Sequence, residues 1–192
     1  HPSVPARTAQ ELVALIKANP GKYSYGSAGI GTGAHLTGEL FKLTTGTYVV
    51  HIPYRGTALV IPDMMSGQIH MLFDNIASAM PHLKDGKLRA IAVTSTQRSP
   101  LLPALPAVAD SVPGFESVTW FGVFGPKAMP ADITQRLNSE INTVLKSPEF
   151  LERLRVLGYD AAGGTPADFA RVVAADTAKW AKLIKERNII VE

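Results

Sequence analysis

The sequence predicts an α/β fold with a mostly parallel sheet. Two observations carry that expectation: short β-prone runs alternate with short helical segments through the first half, and the joining turns are tight and rich in glycine and small polar residues. Such βαβ units pair their strands in parallel through right-handed crossovers. The chain has 192 residues, 46% of them hydrophobic and 18% charged, with 19 Lys+Arg against 16 Asp+Glu and no cysteine. A chain of that size buries roughly 70% of its unfolded surface, which excludes disordered and disulfide-scaffold classes. A net charge of +3 without any long Lys/Arg run gives no reason to expect nucleic acid. Lack of cysteine removes thiolate nucleophiles and Cys-based zinc sites. Apolar runs such as Ala58–Ile61 fall far short of the ~20 residues of a membrane span. The start of the chain shows no basic and apolar signal-peptide pattern.

The first element follows from a capping box. Thr8 and Glu11 can each satisfy a free backbone N–H at a helix start, and Leu12, Val13, Leu15 and Ile16 form its apolar face before Asn19-Pro20-Gly21 stops it. A strand over Tyr23–Ser27 then runs into the glycine turn Gly29-Ile-Gly31-Thr-Gly33 and a helix over His35–Leu43. The unit repeats: strand Tyr48–Ile52, turn Pro53–Gly56, helix Thr57–Met65, strand Ile69–Phe73, turn Asp74-Asn75, helix Ile76–Leu83, strand Leu88–Thr94. Pro62 and Pro81 fall inside two of these helices. From Ser95 to Glu116 four prolines mark an irregular connection of unusual length. The pattern then predicts a strand over Val118–Phe124, helices over Ala131–Leu145 and Pro148–Leu157, and a short strand over Tyr159–Ala162. A final helix opens at Thr165-Pro166, with Phe169, Val172, Val173, Trp180, Leu183 and Ile184 on its buried face.

In open parallel sheets, ligands sit outside the carboxyl ends of the strands, where turns feed helix N-termini. Three turns qualify here: Ser27–Thr32, Tyr54–Thr57 and Asp74-Asn75. The first is the best anion cradle, because its glycines admit a ligand to backbone N–H groups that carry about half a positive charge behind them. The same glycines would equally serve a plain tight turn.

Gly29-x-Gly31-x-x-Ala34 matches a relaxed dinucleotide fingerprint, yet His51–Arg55 holds no carboxylate where the ribose acid belongs; Arg55 leaves an NADP-linked enzyme as the alternative function. Tyr25-Gly-Ser27-Ala-Gly29 is a near miss to the hydrolase elbow, with Ser27, Asp74 and His82 in the order of a triad. His35, His51, His70 and His82 show no metal-binding spacing, so structural or surface roles are expected of them. Asp74-Asn75 could bond a ligand or cap a helix, and Arg55 could pair with a carboxylate or lie in solvent. Trp120 and Phe121 could wall a ligand site, although an aromatic in an apolar strand more often belongs to the core. Lys179, Lys182, Lys185 and Arg187 read as a solvated helical face.

Several runs, taken in order, resemble the substrate-binding receptors of tripartite tricarboxylate transporters, the Bug-type family. They are Tyr25–Gly29, His35–Phe41, His51–Gly56, Phe73-Asp-Asn75, Leu88–Thr94 with Arg98-Ser-Pro100, Trp120–Phe124, and Trp180–Ile189. The resemblance implies a type II periplasmic binding fold in which two α/β lobes close on a carboxylate. It implies a complete α/β lobe over residues 1–100, a crossing connection over 101–118, and the C-terminal part of the other lobe over 119–192. It places Ser27, Ala28, Gly29, Thr32, Tyr54, Arg55, Gly56, Asp74 and Asn75 along the cleft, with His35 close behind the glycine turn. No catalysis, metal or cofactor is implied, and the protein is expected in the periplasm, with a membrane permease as partner.

Family members carry a further segment ahead of the position of His1, about 100 residues by ordinary domain size. The chain is therefore expected to be a receptor fragment or truncated variant. Weak ligand affinity and self-association through exposed apolar surface are expected to follow.

Overall fold

The structure, a computed structural model, describes residues 1–190. The chain divides into two compact units, one of residues 1–119 with 182 onward and the other of residues 120–181.

In the first unit, helix α1 (Ala9–Ala18) makes half of the expected capping box: Thr8 Oγ1 accepts from Glu11 N at 3.1 Å, while Glu11 Oε2 accepts from Arg7 N, one residue before the cap, at 2.7 Å. Strand β1 (Ser24–Ser27) leads into α2 (Gly33–Thr45), β2 (Val50–Pro53) into α3 (Thr57–Ser66), and β3 (Met71–Leu72) into α4 (Ile76–Lys84). The strands form one parallel sheet in the order β2-β1-β3, so α3 carries the chain across β1 from one edge to the other. All four residues of β1 are buried, as a central parallel strand covered on both faces must be. Gly26 is required there, since a Cβ would stand 2.6 Å from Val60 Cγ1 of the crossing α3. Both helices run through their internal prolines, Pro62 in α3 and Pro81 in α4, each at the loss of one backbone bond.

The core packs Ile16 of α1, Tyr23 and Tyr25 around β1, Phe41 of α2 and Val49 against Val108, Val112 and Phe115. Those last three come from the proline-rich connection, which is ordered by its burial and by a short 3-10 turn at Val108–Asp110.

Three expected strands do not form among the described residues. Leu88–Thr94 makes only an isolated bridge between Val93 and Ala107. Val118–Phe124 pairs with no other strand, with Phe121 75% and Val123 76% exposed, and Tyr159–Ala162 is likewise unpaired. A strand needs a run of a neighbour's N–H and C=O groups; beyond the bonds of Val93 with Pro106 and Val108 and of Thr94 with Ser117, none of the described segments supplies them there.

The second unit holds α5 (Ala131–Leu145), α6 (Pro148–Val156) and most of α7 (Pro166–Glu186). Thr165 and Asp168 cap α7 reciprocally. Trp120 is half-buried, donates Nε1–H to Asp176 Oδ2 at 2.5 Å, and meets Phe169 edge-on. Phe121, expected in the core, is exposed and touches Tyr159. Of the apolar face expected on α7, Leu183 is buried, Val172 is exposed, and Phe169, Val173, Trp180 and Ile184 lie between.

Candidate ligand-binding site

Parallel pairing puts the carboxyl ends of β1, β2 and β3 on one edge of the sheet, and the three turns named above leave from that edge. They open α2, α3 and α4 at Thr32, Gly56 and Asn75, and at none of these positions does a side chain cap the helix. Helix starts leave backbone N–H groups without intrahelical partners, so an uncapped start is a ready anion donor.

Ser27 is fully buried at the end of β1. Its Oγ accepts from Gly29 N at 3.2 Å and lies 3.1 Å from Gly29 O and 2.7 Å from His51 Nε2. Thr32 turns its hydroxyl back to donate to Gly29 O at 2.7 Å, which closes the turn and keeps that side chain from capping α2. Gly29 has φ 139°, a conformation side chains rarely adopt, and a Cβ there would lie 3.4 Å from Tyr54 O. The first two turns thus meet backbone to backbone, and Tyr54 N donates to Ser27 O at 2.9 Å. Among the described residues, the N–H groups of Ala28, Ile30, Gly33 and Ala34 make no hydrogen bond.

His35, expected behind the glycine turn, is buried there and accepts from Gly31 N at Nδ1, 3.0 Å. Its ring stacks on His51 with centroids 4.1 Å apart, and Tyr25 also stacks on His51 at 4.8 Å. Burial holds both imidazoles below their ordinary pKa, His51 at about 4. Behind them the Tyr25 hydroxyl donates to Glu39 Oε1 at 2.9 Å; burial first, then the Glu39 charge, pushes its pKa up. Glu39 is itself buried, yet ion pairs to Lys42 at 2.6 Å and Arg187 at 2.9 Å outweigh that burial and hold its carboxyl below the usual range. Arg187 is thus not merely solvated, as its helical face suggested, but tethers the end of α7 to α2.

Tyr54 spends its hydroxyl on Asp63 Oδ2 at 2.6 Å. Arg55 is exposed and makes no hydrogen bond or ion pair among the described residues. Gly56, at φ 122°, has open space where a Cβ would go. Asp74 accepts from Asn75 N through Oδ1, while its buried Oδ2 has no partner. Asn75 occupies the cap position of α4 without bonding it through its side chain.

The hydrolase arrangement is not built. Ser27 pairs with His51 rather than His82; with no exposure it offers nothing to a substrate, and a ring titrating near 4 is a poor base at neutral pH. Sequence reasoning missed His51 as part of the site's support. Its signal is the parallel register that sets it beside Tyr25.

A parallel α/β lobe with uncapped helix starts along one sheet edge offers backbone N–H groups that can receive an anion. The profile of the tripartite tricarboxylate transporter family receptor matches residues 1–189, and the chain belongs to that family. It is 38% identical over 185 residues to a protein of the tcbD-tcbE intergenic region of Pseudomonas sp. strain P51, covering 95% of this chain and 55% of that one. BugT of Bordetella pertussis is 32% identical, over 97% of this chain and 57% of its own length. The chain thus spans little more than half of these relatives.

Among solved structures, an R. palustris protein with adipate superposes at a TM-score of 0.85 with 35% identity, covering 97% of this chain and 63% of that one. The periplasmic binding protein BugD gives 0.79 with 32% identity, over 97% and 64%. The fold is that of these receptors, which are solute-binding proteins and not enzymes. Among the described residues no helix is long and apolar enough to cross a membrane.

Proposed function

We propose that this chain forms one jaw of an extracytoplasmic receptor that captures a small carboxylate in the periplasm and presents it to the permease of a tripartite transporter. The observation that carries this reading is the convergence of three uncapped helix starts on the carboxyl edge of one parallel sheet. In this reading backbone N–H groups of the Ser27–Thr32 turn hold a carboxylate, with Ala28 and Gly29 giving it access. Tyr54, Arg55 and Gly56 line the second turn, where the unpaired guanidinium of Arg55 suits a second carboxylate. Asp74 and Asn75 line the third, and His35 backs the first. The 35%-identical relative solved with adipate supports a dicarboxylate as the first ligand to try.

The test is a melting-temperature screen against adipate, malate, citrate, glutamate and benzoate, with adipamide as the uncharged control. It is run on this chain and on a version extended at its N-terminus with the corresponding segment of a relative. A rise with at least one carboxylate and none with adipamide is expected, larger in the extended version. No rise with any acid in either version would reject the reading. Sub-micromolar binding by the unextended chain would reject the narrower claim that a single jaw binds weakly. The same reading gives the exposed apolar residues Phe121, Val123 and Phe124 a packing partner, and for this chain alone that partner is a second copy.

A further inference from the structure

We propose that His35 and His51 are positioning residues: a stacked pair of neutral imidazoles that fastens alternate amides of the glycine turn inward and so leaves the intervening amides as the donors a ligand meets. The proposal deepens the receptor reading and, in its last clause, rests on it.

Along Ala28, Gly29, Ile30 and Gly31 the second and fourth N–H groups are engaged and the first and third are not. Gly29 N donates to Ser27 Oγ, and Gly31 N donates to His35 Nδ1. An acceptor at Nδ1 leaves the ring proton of a neutral His35 on Nε2. Ser27 Oγ is held in turn by His51 Nε2 at 2.7 Å. If Nε2 is bare, the hydroxyl donates to it; if Nε2 carries the proton, the ring donates to Oγ and the hydroxyl turns to Gly29 O. In both cases Oγ keeps a lone pair for Gly29 N. An apolar residue at His35 would free the Gly31 amide, and one at His51 would leave Ser27 Oγ without the ring that fixes it and so loosen its hold on the Gly29 amide.

The clamp works while both rings are neutral. A proton on His35 Nδ1 would displace the Gly31 bond, and two charged rings would face each other at 4.1 Å. The groups facing the pair are Tyr25 from β1 and Glu39 and Lys42 from α2. The one anion among them, Glu39, is already matched by Lys42 and Arg187. Burial accordingly holds both rings neutral at ordinary pH. The turn is expected to loosen in acid.

The test is amide hydrogen exchange by NMR on the full chain, comparing wild type with His35→Leu, His35→Asn, His51→Leu and His51→Gln. Asn carries an acceptor where Nδ1 was, and Gln one where Nε2 was. The leucine variants should lower protection at Gly31 and Gly29 respectively by about tenfold, the worth of one ordinary hydrogen bond. The amide variants should restore most of it, while Leu40 and Phe41 in α2 stay protected throughout. Acidification to below the ordinary imidazole range should reduce Gly31 protection in wild type and leave it unchanged in His35→Asn. Unchanged glycine exchange in the leucine variants would overturn the proposal. So would a Nδ1–H tautomer of His35 in the wild-type imidazole spectra, a result that stands even if a variant fails to fold. Adipate, titrated into the extended version, should bind at least tenfold more weakly in the leucine variants. Intact glycine effects with no carboxylate binding in any version would sink the receptor reading and leave the clamp standing.

Discussion

Gly38 of α2 lies under the Tyr25 ring, and a Cβ there would collide with ring atoms Cε2, Cζ and Cδ2. The ring cannot yield, because its hydroxyl is bonded to Glu39 and its face is stacked on His51. Gly38→Ala should therefore cost about 1–3 kcal/mol despite its gain in helix propensity, the usual range for overpacking a core. A thermal or urea melt reads this directly, and an unchanged midpoint would mean that α2 shifts away freely. At this scale the turn residues were legible before the structure. Ser27, Gly29 and Thr32 stand where a strand must turn sharply into a helix, and short side chains with free φ are what such a turn demands. His51 was not legible, since a histidine inside a strand looks the same whether it faces solvent or a buried serine. Only the register that sets Tyr25 beside His51 decides between them.

The helices were readable almost to the residue, because a helix satisfies its own backbone and announces itself by capping and period. α5, expected over Ala131–Leu145, occupies those residues, and α1 starts at its Thr8 cap. Strands depend on what lies beside them. β1, β2 and β3 form because α2 and α3 return the chain to β1, whereas Leu88–Thr94 and Val118–Phe124 have equally β-prone sequences and no such neighbour among the described residues. The site inherits this asymmetry. Its three helix starts, and through parallel pairing their shared edge, could be read from the sequence, but which starts lie side by side follows from the strand order β2-β1-β3, which no local pattern encodes.

For the whole chain, charge and apolar exposure pull in opposite directions. A net charge of +3 gives weak colloidal repulsion, while Phe121, Val123 and Phe124 are each more than two-thirds exposed within a single run of four residues. Clustered aromatic and aliphatic exposure of that kind favours association. Multi-angle light scattering at tens of micromolar should show a mass above that of the 20.5 kDa monomer, and Phe121→Ser with Phe124→Ser should lower it. A clean monomer for the unmodified chain would count against self-association.

The ion pair between Glu39 and Arg187 joins residues 148 apart, whereas Ser27 and His51 are 24 apart and Ser24 and His70 are 46 apart. Closing a loop costs more entropy the longer it is, and contacts that require the whole chain tend to form late. On that ground the glycine turn and its imidazole clamp are expected to form in an early βαβ nucleus and the Arg187 tether late. Removing the tether with Arg187→Met should speed unfolding in a stopped-flow chevron while leaving the folding limb in place. A slowed folding limb instead would move Arg187 into the nucleus.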